Sequence, residues 1–276
     1  MEIRHQSSPK EVTGMNTEAL RSNFLIETVF SPAAINLTYT HYDRMIIGGA
    51  QPTSETLTLA NPEELRAEYF LERRELGIIN VGGAGFVEAD GVTLQLAKYE
   101  ALYIGRGTKE VRFGSQNPDA PALFYLLSAP AHQSYPVRKM SQAEASPVRV
   151  GASETANDRT IYKYIHPDGI LSCQLVMGLT IFETGSLWNT MPPHTHDRRM
   201  EAYLYFDVPD QHQVLHLMGQ ADETRHLWIK NHQAVISPTW SIHAGCGTAS
   251  YAFIWGMAGE NQSFTDMDFI NIDQLR

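Results

Sequence analysis

The chain has 276 residues, 43% of them hydrophobic, 19% charged and 10% aromatic, a globular composition that excludes a disordered polypeptide. At roughly 150 residues per domain, the length suits two domains or one large one. The 21 Lys and Arg against 31 Asp and Glu leave a net charge of −10, which disfavours a nucleic-acid binder that neutralises phosphates and a polybasic membrane contact. A small anionic ligand would need a local positive patch or a metal to offset that field.

The opening segment MEIRHQSSPKEVTGMNTEAL lacks an apolar h-region, so no signal peptide is expected. Asn16 to Phe24 reads as one short helix. Beyond it, turn residues recur every 8 to 12 positions and separate short runs rich in Val, Ile, Tyr and Phe, the pattern of a sandwich or barrel rather than of βαβ units. The predicted strands of the first half are Met45–Ile47, Leu76–Val81, Ala101–Ile104, Val111–Phe113 and Ala122–Leu127. Only Pro62 to Glu75 sustains a helical period, and Ala89-Asp90-Gly91 signals a hairpin. Leu123 to Leu127 is among the longest apolar runs and falls far short of the roughly 20 residues that span a bilayer. A cytoplasmic protein is expected, and the sequons at Asn36 and Asn261 are then chance matches.

Ala129 to Asp158 is polar, contains Pro130, Pro136 and Pro147, and makes the best linker. It divides the chain into residues 1–150 and 151–276, each long enough to bury a core. Strands of the second half are predicted at Thr160–Ile165, Ala202–Val208, Val214–Met218, Ala234–Ile236 and Tyr251–Trp255. The halves resemble each other: ALYIGRGTKEVRF in the first and AVISPTWSIHAG in the second both run from a strand through a tight turn back into a strand. This points to an internal duplication. Gly82, Gly83 and Gly85 resemble part of a dinucleotide fingerprint, but a hairpin follows instead of a helix, so that reading fails. Cys173 and Cys246 form no CxxC and read as two thiols in a reducing compartment.

The richest constellation is Pro193-His194-Thr195-His196-Asp197-Arg198-Arg199-Met200-Glu201, with His243 following 42 residues after Glu201. Two positions apart on a strand, His194 and His196 point to one face. Glu201, Tyr203 and Tyr205 share a face of the next strand, and a turn over Asp197 to Met200 returns Glu201 beside the imidazoles. Three imidazoles and one carboxylate suit a divalent ion such as zinc, with room for water or substrate. The spacing HxHx4E followed by PxxxxH is the cupin metal signature. The expected fold is therefore mainly all-β: two tandem cupin-type β-barrels (a bicupin) with a few short helices. Lys109 stands where the first half would need a ligand histidine, so that half reads as metal-free.

The resemblance extends further. GSLWNTMPPHTHDRRMEAYLYF, SPTWSIHAGCGTASYAFIWGMAGENQSFTDMD, FLERRELGIINVGGAGF and ALYIGRGTKEVRF together resemble the 5-keto-4-deoxyuronate isomerase family, from about residue 20 to the C-terminus. Trp240 replaces the glycine of the generic cupin pattern, and that family shares the tryptophan. The resemblance implies one Zn2+ per subunit on His194, His196, Glu201 and His243, and a homohexamer. It also implies a ketol-isomerase of pectin and uronate catabolism that moves a carbonyl from C1 to C2 of a 4-deoxy-5-keto uronate. Removing the C2 proton spreads negative charge onto O1 and O2, which a divalent cation would stabilise; a hydride shift is the competing route. Glu201, Tyr203 and Tyr205 are the candidate catalytic groups. Arg198 or Arg199 could clamp the C6 carboxylate, and Trp188, Asn189 and Trp240 could wall the pocket. The alternatives are another cupin enzyme, such as a related uronate isomerase or a dioxygenase, and a non-catalytic sugar-binding cupin.

Overall fold

A computed structural model describes the whole chain, Met1 to Arg276. Its first part supplies strands β1 (Glu2–Arg4), β2 (Leu25–Ile26), β3 (Ala34–Thr40), β4 (Ile46–Gln51), β5 (Leu57–Thr58), β6 (Arg74–Asn80), β7 (Gly85–Ala89), β8 (Val92–Leu96), β9 (Ala101–Ile104), β10 (Val111–Ser115), β11 (Phe124–Pro130) and β12 (Arg138–Met140). The second part supplies β13 (Val148–Val150), β14 (Arg159–Ile165), β15 (Val176–Phe182), β16 (Trp188–Asn189), β17 (His194–Thr195), β18 (Arg199–Phe206), β19 (Val214–Gln220), β20 (Glu223–Ile229), β21 (Gln233–Ser237), β22 (Ala244–Gly247), β23 (Ala252–Gly259) and β24 (Asp268–Phe269). Two α-helices, α1 (Pro9–Val12) and α2 (Thr17–Phe24), precede β2.

The strands assemble into a seven-stranded sheet β1-β3-β4-β11-β6-β9-β12 facing a four-stranded sheet β5-β10-β7-β8, and then into a second such pair, β13-β14-β15-β23-β18-β21-β2 and β16-β22-β19-β20. The duplication is plain in this wiring. The neighbour order β3-β4-β11-β6-β9 recurs as β14-β15-β23-β18-β21, and the order of the small sheet recurs strand for strand.

The expectation of two closed barrels is corrected: no sheet closes on itself, and each half is a sandwich of two open sheets. Prolines explain part of the break. Pro52 stands where the chain leaves β4 for β5, Pro121 where it leaves β10 for β11, and Pro238 where it leaves β21 for β22. A residue without an N–H cannot carry a ladder across such a corner. The helix expected over Pro62 to Glu75 is also absent. A single 3-10 turn, Glu63–Leu65, ends at Arg66 in the left-handed region (φ 46°), and Arg74 already belongs to β6, whose seven residues are all buried.

Helix α2 begins where expected because the Asn16 side chain accepts from the Ala19 N–H at 2.9 Å, satisfying one of the helix's unpaired donors. Its buried Leu20 and Phe24 join a core of 47 buried residues that runs from the second sandwich into the first half, through Ile79, Tyr103, Tyr125 and Leu127. A separate core of 17 residues fills the first sandwich. The two seven-stranded sheets thus stack back to back. Their approach is close: a Cβ on Gly77 would lie 2.7 Å from side-chain atoms of Ile165 and Leu175, and one on Gly256 would lie 2.1 Å from Leu127. The fully buried Glu75 ties the halves together, accepting from the Tyr103 hydroxyl and from the backbone N–H groups of Cys173, Gln174 and Leu175, each at 2.7 Å. The chain also crosses over, since β2 pairs with β21 at the edge of the second half's large sheet.

Candidate metal centre

The second sandwich presents its histidines from two places. The segment after Pro192-Pro193 carries His194 on β17, where it pairs with Phe269 of β24, and then His196 in the turn before β18. Glu201 lies on β18, between Ser237 of β21 and Met257 of β23, and His243 immediately precedes β22. The two-residue period of β18 turns Glu201, Tyr203 and Tyr205 to one face.

The ligand atoms of His194, His196, Glu201 and His243 all lie within 4.8 Å of one another. Glu201 Oε2 is 3.0 Å from His196 Nε2 and 3.0 Å from His243 Nε2, and the His194 and His243 Nε2 atoms are 3.1 Å apart. The opposite ring nitrogens fix the tautomers. His196 Nδ1 donates to the Arg199 carbonyl at 2.8 Å and His243 Nδ1 to the Ser241 carbonyl at 3.3 Å, because a carbonyl can only accept. In its neutral form each ring therefore turns its Nε2 lone pair toward the Glu201 carboxylate. A shared cation would satisfy lone pairs held this close, and backbone acceptors on the far nitrogens suit metal-ligating histidines. The donor set fits a divalent metal ion.

Burial shapes the electrostatics. Glu201, His196 and His243 are 5%, 2% and 1% exposed. Burial alone pushes the Glu201 carboxyl up, but the imidazoles of His243 and His196 outweigh it and hold the group well below the usual carboxylate range. Burial pulls His194 down to about 3, so it is neutral and able to ligate at physiological pH. His196 is desolvated, yet its bond to Glu201 raises it overall.

Beside these ligands lies a cavity of about 370 Å³, into which His194, Glu201 and Tyr203 open. Phe253, Trp255, Phe264 and Phe269 form an aromatic wall, and Arg159 and Lys163 supply its cations. Tyr203 is within 3.2 Å of the Thr190 hydroxyl, and burial raises its phenol well above the ordinary value. Tyr205 lies deeper and does not reach the cavity; its hydroxyl meets His216 Nδ1 at 2.7 Å.

The remaining predicted residues point elsewhere. Arg198 pairs with Asp268 at 2.8 Å and Asp266 at 3.5 Å, and the fully buried Arg199 pairs with Asp266 at 2.9 Å; neither lines the cavity. Trp188 and Asn189 form β16 against Cys246 and Gly245 of β22. Trp240 packs edge-on against Phe24, with ring centroids 6.4 Å apart. Sequence reasoning missed Arg159 and Lys163. Their signal was present: Arg159 just precedes the predicted strand Thr160–Ile165, and extending that strand by one residue puts it on the same face as Lys163. In the first half, Leu76 on β6 lies opposite Ile104, the last residue of β9, as Glu201 lies opposite Ser237, the last residue of β21. Lys109 is exposed.

No helix is long and apolar enough to cross a membrane. The chain is 55% identical over 276 residues, all of both chains, to the 4-deoxy-L-threo-5-hexosulose-uronate ketol-isomerase 1 of Enterococcus faecalis. It is 54% identical over the same span to the ketol-isomerase of that name from Shouchella clausii. Its fold is similar to that of an IolB-like protein from Salmonella typhimurium LT2, with a TM-score of 0.74 and 18% identity over 90% of this chain and 97% of that one. A sequence profile of the KduI/IolB family matches residues 28–272, and at this level of likeness the chain belongs to the KduI/IolB family.

Proposed function

We propose that this protein is an aldose–ketose isomerase that converts 4-deoxy-L-threo-5-hexosulose uronate to 3-deoxy-D-glycero-2,5-hexodiulosonate in the catabolism of pectin and other uronates. The observation that carries the reading is a His3Glu cluster opening into a cavity that also holds two cations, in a chain 55% identical end to end to a ketol-isomerase of that reaction. The ion assigned to the cluster is Zn2+, one per subunit, on His194, His196, Glu201 and His243; the nitrogen and oxygen donors suit it. When bound, a divalent cation supplies Lewis-acid stabilisation of charge developing on the sugar oxygens.

The side chains account for the rest. Arg159 and Lys163 receive the C6 carboxylate of the small anionic substrate, a role that Arg198 and Arg199, held by their aspartates, leave open. Glu201 is the only carboxylate in the cavity wall. Its Oε2 faces the imidazoles while Oε1 takes no hydrogen bond from the protein, so Oε1 is placed to carry the proton from C2 to C1. Tyr203 stays protonated and donates to a substrate oxygen. The aromatic wall sheds water and strengthens these interactions. The reading includes a cytoplasmic homohexamer, which light scattering on the purified protein would measure.

A proton NMR time course in D2O, with metal-replete protein and an EDTA-treated control, tests the reaction. Metal-dependent appearance of the 2,5-diketo acid carrying deuterium at C1 is expected. No conversion by protein shown to hold metal would overturn the assignment. His243→Ala should lose both bound metal and turnover while keeping the β-sheet circular dichroism of the parent, because His243 lies just outside the β22 ladder and carries none of its strand pairing.

A further inference from the structure

The duplicated wiring makes one difference between the halves informative. Arg74 on β6 and Arg199 on β18 occupy matching places: each begins its strand, and each lies opposite the last residue of the neighbouring central strand, Pro130 of β11 or Gly259 of β23. Both are buried, at 7% and 0% exposure. Arg199 has a carboxylate partner, Asp266, at 2.9 Å. Arg74 has none. It donates Nε to the Ser128 hydroxyl at 3.1 Å and Nη2 to the carbonyls of Arg44 and Ser128 at 2.6 Å each, and Nη1 has no protein acceptor. Burial draws its guanidinium down to about 10, more than Tyr39 and Glu75 restore, as befits a desolvated cation with no carboxylate in contact.

In front of Arg74 lies a cleft of about 360 Å³, nearly the volume of the metal-site cavity. Arg44, Arg73 and His41 also line it, and Glu64 is its only acid. Neither Arg44 nor Arg73 forms an ion pair; Arg73 donates only to the carbonyls of Leu65 and Arg66. Tyr39, whose ring centroid is 6.0 Å from the Arg74 guanidinium carbon, and Phe70 add apolar wall. Three guanidiniums converging on one cleft, in a chain of net charge −10, form a local trap for oxyanions, which arginine forks grip in pairs of hydrogen bonds.

We propose that this cleft of the first half binds a small anion of sugar-acid size, its carboxylate or phosphate oxygens taking the place beside Arg74 that Asp266 takes beside Arg199. The site is separate from the metal centre, so its test does not depend on the isomerase reading. Calorimetric titration of the full-length protein with inorganic phosphate, and separately with D-glucuronate, should give saturable binding of at least one of them. The probe that binds identifies the oxyanion. Because D-glucuronate could also enter the metal cavity, the deciding comparison is the double variant Arg44→Ala/Arg73→Ala. Both side chains are exposed, so the variant spares the buried Arg74. It should bind at least about tenfold more weakly, or lose one site per chain, while turnover of the parent reaction is unchanged. Arg74→Lys, which keeps the charge and loses the fork, should weaken binding as well. Undiminished affinity and stoichiometry in the double variant, or no saturable binding of either probe, would overturn the proposal.

Discussion

Arg159 and Lys163 project from one face of β14 into the cavity that His194 and Glu201 also line. Burial lowers the Arg159 guanidinium from its ordinary value, yet a guanidinium stays charged at physiological pH and so can receive a carboxylate. An interaction with a carboxylate remote from the reacting carbons is made equally in ground and transition states, so losing it raises KM and spares kcat. Arg159→Met should raise KM by about 10- to 100-fold, or about 1.4–2.7 kcal/mol, with kcat nearly constant. Arg198→Met should leave KM within a factor of about two, because that side chain faces Asp266 and Asp268; steady-state kinetics decide both. The gathering of His194, His196 and Glu201 was legible because one short strand, one turn and the next strand bring them together locally, and His243 joined them through the spacing of the later Pro238 segment. The arginine roles were not. What captures Arg198 and Arg199 is an aspartate more than 65 residues away in sequence, and nothing in the motif announces it. Trp240 was lost to Phe24 in the same way, across most of the chain.

At the scale of elements, residues 260–269 form a clasp beside the cavity, which Phe264, Met267 and Phe269 line. Asp266 holds Arg199 and Arg198, Asn261 donates to Asp266 at 3.0 Å, and β24 pairs with β17, which carries His194. Burial pushes the Asp266 carboxyl up, but Asn261 and the two arginines outweigh it and set it below its ordinary 3.8. A depressed carboxyl contributes stability that is fully present above the unfolded value and is lost as pH falls through the folded one. Asp266→Asn should therefore melt well below the parent at neutral pH, with Arg199 left buried and unpaired. The gap should close on acidification below 3.8. Calorimetric melting points across that range measure it, and a gap independent of pH would contradict the clasp. The strands named from the sequence were readable from short apolar runs between turn residues, and helix α2 from the segment Asn16 to Phe24, whose first residue proves to be the cap. Pro62 to Glu75 misled because Arg66 at φ 46° breaks a helix whose apolar spacing was otherwise intact.

Across the whole molecule, the back-to-back sheets and Glu75 make the halves one cooperative body. Glu75→Gln leaves buried N–H groups facing an amide instead of a carboxylate and should cost roughly 3 kcal/mol. Gly77→Val, which forces a side chain against Ile165, Leu175 and Met177, should cost about 1–3 kcal/mol through overpacking. Both should appear in chemical denaturation as a lower midpoint of a single transition, without the first half unfolding separately. The repeat was legible from the paired strand-turn-strand segments. Barrel closure was misjudged, because strand alternation reports which face is buried and says nothing about whether the last edge meets the first.

The pairing of β2 with β21 also has a temporal meaning. Leu25 and Ile26 leave the ribosome early, but their partners Val235 and Ala234 are made some 200 residues later. The large sheet that carries Glu201 therefore cannot acquire its last strand until synthesis is nearly complete. A nascent chain halted near residue 150 would leave that short strand and helix α2 without their seat. The finished second half would then gather in its oldest segment last, and a fragment starting at residue 151 would lack it altogether.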